Sequence, residues 1–358
     1  MKQLDFYIIK KFLGTFFYAI SLLILIVIIF DISEKIDEFL EGYASLYEIL
    51  FDYYLNFIPY FVNLFSYLFT FVAVIFFTSK MAYNSEIVAI LSSGISFRRF
   101  LLPYLISAVI LGMLSFYLAN FLIPRTNMRM MAFEKTYLKS PYRNVDKDIH
   151  MQIKPGTFVY IERYDNMSNT GYKIALEEFI GKELVYKMNS TRILWDSIQG
   201  IWTIQDYVIR EIDGQREKIT KGKELDTLIN MYPHEFSFNL EYMKTMNYKE
   251  LRDFIEKERL KGSTLIKDYE VEKQKRIAFP FATIILTVIG VSISSRKVRG
   301  GIGMHLGLGL ALTFTFIMFQ QVTTVFATRG NLAPWLAVWI PNIIYGVLGL
   351  YLLKLAPK

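Results

Sequence analysis

Six stretches of this chain, each 19 to 29 residues long, contain no Asp, Glu, Lys or Arg. They are Phe12–Phe30, Tyr53–Ser79, Phe100–Ile123, Ile277–Ser295, Gly300–Thr328 and Gly330–Leu353. Crossing a bilayer takes about 20 mostly apolar residues. In hydrocarbon every backbone N–H and C=O must be satisfied internally, so each run predicts a transmembrane helix. Composition agrees: 53% of the 358 residues are apolar and only 20% charged, against about 25% charged in soluble domains. The first run is too long for the apolar part of a signal peptide. It ends in Asp31-Ile32-Ser33-Glu34 with no small-residue cleavage site. There is no cysteine, which excludes disulfides, thiolate metal sites and a Cys nucleophile. His150, His234 and His305 stand far apart, without the spacing of a zinc site.

Loop charge predicts orientation. The N-terminus, residues 80–99, residues 296–299 and the tail from 354 carry eleven basic residues (Lys2, Lys10, Lys11, Lys80, Arg98, Arg99, Arg296, Lys297, Arg299, Lys354, Lys358) against Asp5 and Glu86. That is a net +9, while the rest of the chain nets −2, so the whole +7 is a topogenic bias and not a nucleic-acid footprint. Both termini are expected in the cytoplasm, and the long charged interval on the other face, the periplasm of a diderm bacterium. Within that interval, residues 149–242 alternate aromatic and β-branched residues with polar ones. Turn signals at Asn169-Thr-Gly171, Gly181-Lys182, Gln199-Gly200 and Asp213-Gly214 separate the runs, the pattern of a sandwich or jellyroll. Residues 247–276 read as a charged helix, broken near Gly262-Ser263. The expected organisation is an α+β membrane protein. Helices 1–3 occupy residues 1–124 with a short cytoplasmic helix at about 83–97, a β-jellyroll 125–246, a connecting helix 247–276, and helices 4–6 residues 277–358.

Several chemistries are missing. No G-x-x-x-x-G-K-[ST] loop is present to wrap a nucleotide's phosphates, and no G-x-S-x-G elbow to carry a nucleophile. The apolar runs hold no carboxylate, as a self-powered proton-coupled pump would need. These features point to a non-catalytic membrane subunit.

The most informative loop is Ser85-Glu-Ile-Val-Ala-Ile-Leu-Ser-Ser-Gly94. Ile87, Ile90, Leu91 and Gly94 share one helical face, and Glu86 sits in the first turn, favourable with the helix dipole. The segment is either an interfacial helix resting on the bilayer or a coupling helix docked into a partner ATPase, with Glu86 meeting a basic groove residue. This serine-glutamate pattern after a second span resembles the LptF/LptG permease family of the lipopolysaccharide export ABC transporter. Phe158-Val-Tyr-Ile-Glu-Arg163, Trp195 with Gly200-Ile-Trp202, Pro280 early in the fourth span and the glycines of Gly301–Gly309 also resemble that family, in the same order along nearly the full length. The Phe158–Arg163 strand and the glycine-rich fifth span are more similar to LptG than to LptF.

The resemblance implies that two such subunits enclose a cavity with lateral gates at the first and fifth spans. An LptB-like ATPase dimer, which holds the ATP and magnesium, drives lipopolysaccharide through a periplasmic jellyroll onto LptC/LptA-like partners, for outer-membrane biogenesis. This chain itself is expected to bind no cofactor, metal or nucleic acid. Phosphates of the lipid need cations and its acyl chains an apolar wall. Candidates for the first are Lys35, Arg125, Arg129 and Lys135. The family tends to have several basic residues in the first loop; here Lys35 stands alone among Asp31, Glu34, Asp37, Glu38 and Glu41, and is equally a snorkelling lysine at a helix end. Arg125, Arg129 and Lys135 either contact phosphates or face headgroups.

Candidates for the apolar wall include Phe61 and Phe65 of the second span, where Pro59 introduces a kink; the same aromatics serve equally as packing. Gln320 and Gln321 are polar in lipid and expected to face the interior or the cavity. Gly303 and Gly307 form a G-x-x-x-G pair, expected to pack tightly within one subunit. In the β domain, Phe158, Tyr160, Ile174 and Leu176 are expected on an inward lipid path, though an ordinary sandwich core has the same pattern. Besides export through an LptG-like or LptF-like subunit, a sensory membrane protein, with the β domain sensing and residues 85–94 signalling, remains open.

Overall fold

In the computed structural model the described residues are 3–138, 145–165, 167–197, 199–229, 231–233, 240–263, 265–298 and 301–356. Lys2, His234, Arg299, Gly300 and Lys358 lie outside them. The described residues form two compact units, one holding all six apolar helices and one holding the strands.

The apolar runs are helical, and several helices outlast them. The first span is α1 (Gln3–Glu41). The second is α2 (Leu46–Glu48), a π-helical turn (Ile49–Tyr54) and α3 (Leu55–Tyr83). After the short α4 (Glu86–Ser92), the third is α5 (Phe97–Tyr117), a second π-helical turn (Leu118–Leu122) and α6 (Ile123–Tyr137). Beyond the strands come α7 (Leu240–Met243) and α8 (Tyr248–Lys261), then the last three spans: α9 (Ile266–Ser294), α10 (Gly301–Thr328) and α11 (Pro334–Leu355). At about 1.5 Å per residue, the 39 residues of α1 are far longer than the roughly 30 Å hydrocarbon core. The third span likewise continues to Tyr137 through Arg125, Arg129, Glu134 and Lys135. Residue 124 is therefore where the apolar run ends, not where the helix ends, and the first strand begins only at Val145.

Both π turns lie just upstream of a proline, Pro59 and Pro124. Proline has no N–H for the carbonyl four residues back, and the ladder widens locally. An asparagine side chain bonds the backbone of the preceding turn in each case. Asn56 Nδ2 donates to the carbonyls of Phe51 and Asp52 at 2.9 Å, and Asn120 Nδ2 donates to that of Phe116 at 2.9 Å.

In the helical unit α3 is central. Phe77, Val74 and Met81 pack with Phe12 and Phe16 of α1 and with Phe100 and Tyr104 of α5. Its other side, Tyr67, Phe71 and Ile75, meets Leu286 and Ile289 of α9, Phe316 of α10 and Tyr345 of α11. Lipid tails are as apolar as these side chains, so close packing rather than burial from water holds the helices together. Gly290 lets α9 approach α3 closely: a Cβ there would lie 2.8 Å from Val74 Cγ1 and 3.2 Å from the Phe71 ring. Gly303 and Gly307 do not behave as expected, since a Cβ on either would meet nothing within 4 Å.

The inserted unit is one antiparallel sheet whose six strands follow sequence order: β1 (Val145–Lys154), β2 (Thr157–Asp165), β3 (Thr170–Ile180), β4 (Glu183–Asp196), β5 (Ile201–Asp213) and β6 (Arg216–Thr227). The jellyroll expectation is thus met, among the described residues, by a meander without a crossover. The two-residue turns Gly181-Lys182 and Gly214-Gln215 place glycine at φ 64° and 60°, the left-handed backbone conformation a tight hairpin turn needs. Val159, Ile161, Ile174, Met188, Ile193, Trp202 and Ile204 form the core on one face, closed by Met231.

At the end of this sheet Glu178 accepts from Lys154 Nζ at 2.6 Å and from Thr157 Oγ1 at 3.2 Å. The lysine hydrogen bond holds its carboxyl below the usual carboxylate range. The folded form then binds its proton less readily than the unfolded chain. The contribution is present above the ordinary carboxylate pKa and is lost as pH falls through the folded value. Both side chains are more than a third exposed, so the effect is small. The stability difference between wild type and Glu178→Gln, read from urea midpoints, should therefore narrow from pH 7 to pH 3.

Candidate functional site

The helix α4 is anchored to its own bundle. Ile87 is fully buried, and Ile90 and Leu91 pack against the cluster formed by α1, α3 and α5. Glu86 accepts from Tyr7 Oη at 3.3 Å and from Asn84 Nδ2 at 3.2 Å. Ser85 enters the helix at φ 63° and accepts from Lys297 Nζ at 3.4 Å. Gly94, exposed and at φ 87°, ends the segment. The apolar face seats the helix on the chain's own bundle. The surface that faces outward is Ser85, Val88, Ala89, Ser92 and Gly94, with Val88 55% exposed. Nearby, Arg99 grips the buried Asp5 with two parallel hydrogen bonds of 2.6 and 2.7 Å, fixing the start of α1 to the start of α5.

The charged ends of the spans hold a second cluster. Lys35 of α1 lies 3.3 Å from Asp31, 3.7 Å from Glu134 of α6 and beside the Tyr53 hydroxyl, with its ammonium 4.8 Å from the centre of that ring. Asp31 accepts from Tyr53 at 3.2 Å and from Tyr54 at 3.0 Å. Phe39, Phe57 and Phe133 pack around the two tyrosines. Lys35 is therefore built into a network joining the first three spans. The i,i+4 spacing of Asp31 and Lys35 is legible in sequence; the tyrosines carry no such signal. By contrast Arg125, Arg129 and Lys135 are exposed on α6, and among the described residues none of the three makes an ion pair.

Phe61 and Phe65 are half-buried and stack at 6.4 Å. Gln320 is buried on α10, and its Nε2 has no hydrogen-bond partner among the described residues, whereas Gln321 is exposed. His305 is buried and hydrogen-bonded to the carbonyl of Arg296 at 3.0 Å.

In the sheet, the four residues expected on one lipid path separate. Ile174 faces the core, with Leu176 beside it. Phe158 is exposed and Tyr160 half-buried on the opposite face, because register pairs Ile161 with Ile174 and Val159 with Leu176. Successive side chains of a strand alternate faces, so Phe158 and Tyr160 cannot join that core. Tyr160 instead donates to Asp148 at 2.8 Å, and that hydrogen bond pushes its phenol pKa up.

Coverage differs among the spans. About 22% of the apolar windows of α1 and α10 is buried, against 33% for α11 and 44 to 61% for the other three. Phe17, Tyr18, Leu25, Ile29 and Phe30 on α1, and Phe314, Met318 and Phe326 on α10, are open.

Six helices long and apolar enough to span a bilayer, with an antiparallel six-stranded sheet inserted between the third and fourth, define an α+β multi-pass membrane protein. Residues 6–355 match the family described as lipopolysaccharide export system permease LptF/LptG. The match spans essentially the whole chain, and the protein belongs to this family. No curated protein sequence matches it.

Proposed function

We propose that this chain is the LptG-like permease subunit of an ABC transporter that extracts lipopolysaccharide from the inner membrane. The observation that carries the reading is the open apolar surface of α1 and α10. A second, LptF-like subunit set against both helices encloses a cavity whose wall is apolar and whose entrance lies between helices of different subunits. The resemblance of Phe158–Arg163 and of the glycine-rich fifth span supports LptG over LptF. The excess of Lys and Arg on one set of loops supports cytoplasmic termini and a periplasmic sheet domain. In this arrangement α4 lies on the cytoplasmic side, against an LptB-like ATPase dimer that holds ATP and magnesium. The sheet receives the lipid and passes it to LptC/LptA-like domains. ATP hydrolysis takes place in the separate ATPase subunit, and this chain catalyses no reaction of its own. Arg125, Arg129 and Lys135 meet lipid A phosphates, and Phe61, Phe65 and Gln320 face the lipid's path.

Copurification from native membranes in a gentle detergent, with mass spectrometry of proteins and lipids, tests the reading. It predicts a P-loop ATPase, a second six-span protein and lipopolysaccharide. Recovery of this chain without an ATPase, under conditions that keep other ABC complexes intact, overturns it in favour of the sensory reading.

The coupling step has its own test. Val88→Asp places a charge on the exposed face of α4 and should strip the ATPase from the complex. Glu86→Ala removes the hydrogen bonds that orient the helix and should lower lipid export while the ATPase still copurifies. Full export by both variants would remove α4 from the coupling path.

A further inference from the structure

Within the described strands, Asp148 at φ 56°, Lys173 at φ 50° and Asp206 at φ 50° take the left-handed conformation, which is uncommon outside glycine. The register places all three on one row across the sheet, passing through Glu162 of β2 and Thr191 of β4. On this row the alternation of faces slips by one residue, as a local irregularity in a strand allows. Ile161 and Tyr164 of β2, Gly171 and Ile174 of β3, and Ser190 and Ile193 of β4 stand three residues apart, yet all are buried. Gly171 shows that such pairs share a face: a Cβ there would lie 3.3 Å from Ile161 Cγ2 and 3.7 Å from the Tyr164 ring. In β4 the Ser190 hydroxyl accepts from the Arg192 N–H at 3.2 Å, tying the backbone at the same row.

The slip turns two arginines outward. Strict alternation would set Arg163 on the core face with Ile161; instead Arg163 and Arg192 are both exposed. They flank Tyr172 on the neighbouring strands, each directly opposite it in register. The Arg163 guanidinium lies 4.4 Å from the centre of the Tyr172 ring and the Arg192 guanidinium 5.5 Å from it, so one phenol gathers both cations. Neither arginine makes an ion pair among the described residues. The carboxylates on the slipped row are engaged: Glu162 with Lys173 at 2.8 Å, Asp148 with the Tyr160 hydroxyl at 2.8 Å, and Asp206 with the Thr191 hydroxyl at 3.5 Å. A guanidinium stacked on a ring keeps its charge and its fork of N–H donors. Two such forks carry two charges and more donors than one carboxylate can accept. A phosphate monoester, with about two negative charges and three strong acceptor oxygens, matches both.

We propose that Arg163 and Arg192, gathered on Tyr172, bind a phosphate monoester on the face of the sheet opposite its core. The row of left-handed residues is the strained feature that presents them. The site lies outside the apolar core of the sheet, and the inference stands whether or not the chain exports lipid.

The full chain, purified in neutral detergent and stripped of lipid, is titrated calorimetrically with glucose 6-phosphate, inorganic phosphate, glucuronate and glucose. Wild type should bind glucose 6-phosphate more tightly than glucuronate, and glucose not at all. Arg163→Gln and Arg192→Gln should each weaken binding of glucose 6-phosphate about tenfold, the equivalent of one charge-assisted hydrogen bond. Arg163→Lys and Arg192→Lys keep the charge but not the fork, and should fall between wild type and the Gln variants. Lys182→Gln removes an exposed cation from the β3–β4 turn, away from the row, and should bind as wild type does. In support of the proposal, equal affinity for inorganic phosphate assigns the site to the phosphate group alone, and weaker binding of inorganic phosphate assigns it to a sugar-borne ester. Glucuronate bound as tightly as glucose 6-phosphate, or wild-type affinity in both Gln variants, overturns the proposal. Unchanged thermal unfolding of the Gln variants separates loss of the site from loss of the fold.

Discussion

Trp202→Ala opens the β sheet to protease while the membrane helices stay intact. Trp202 is the largest side chain with no exposed surface, and it lies at the centre of the sheet's core with Ile161, Ile193 and Ile204. Removing a buried indole costs about 3–5 kcal/mol, because the surrounding side chains refill the space only in part. The indole also holds the chain beyond β6, donating from Nε1 to the carbonyl of Met231 at 2.7 Å in a buried position. Leaving that carbonyl without a donor adds about 1–3 kcal/mol. Together these approach the whole stability of an ordinary domain, about 5–15 kcal/mol. Limited proteolysis of the full chain, with fragments mapped by mass spectrometry, should show new cuts within residues 145–229 and none within the six spans, since the sheet is a compact unit of its own. Trp195, half-buried and 5.1 Å from Trp202, is the internal comparison, and Trp195→Ala should have a smaller effect. A Trp202→Ala protein as resistant as wild type would mean that the core does not depend on this residue.

The sequence announces the spans because an uncharged run of this length has one stable answer in a membrane. It also announces the hairpins, where glycine sits at Gly181 and Gly214 between alternating runs. It is silent where two patterns coincide. In β2 the odd positions Val159 and Ile161 and the even positions Phe158 and Tyr160 are both apolar, so alternation fixes two faces without saying which is inside. Aromatic bulk favours the even set; the register with β3 puts the β-branched set against Ile174. Charge hides the length of the third span in the same way. Arg125, Arg129 and Lys135 end the apolar run but suit a helix well, and α6 continues for 15 residues. The amphipathic pattern of α4 is real, yet an apolar face identifies only that something covers it. Ile87, Ile90 and Leu91 are covered by the chain's own helices, which leaves the opposite face for a partner.

Lys35 is the case in which environment, and not residue type, decides the role. A lysine at the end of a span is available to a phosphate only if nothing else holds it. Here its ammonium faces Asp31, Glu134 and the Tyr53 hydroxyl, with side chains only 24% exposed for Lys35 and 12% for Asp31. Asp31→Ala removes an acceptor from Tyr53 and Tyr54 together and one of two carboxylates from Lys35. The loss should be about 1–3 kcal/mol, less than for a fully enclosed pair because water reaches the lysine. Lys35→Ala should cost less, since Asp31 keeps both phenol donors. Both variants should unfold at lower temperature in detergent, and both should lose export only as far as the junction of the first three spans loosens. Arg125→Ala and Arg129→Ala should behave in the opposite way, because these guanidinium groups are exposed on α6 and hold no other element in place. They should leave the unfolding temperature unchanged and reduce the lipopolysaccharide recovered with the complex. Comparing unfolding temperature with lipid recovery across the four variants separates the two roles. If Lys35→Ala left the unfolding temperature unmoved and halved the lipid recovered, Lys35 would be a phosphate ligand, and the network around it would be incidental to the fold.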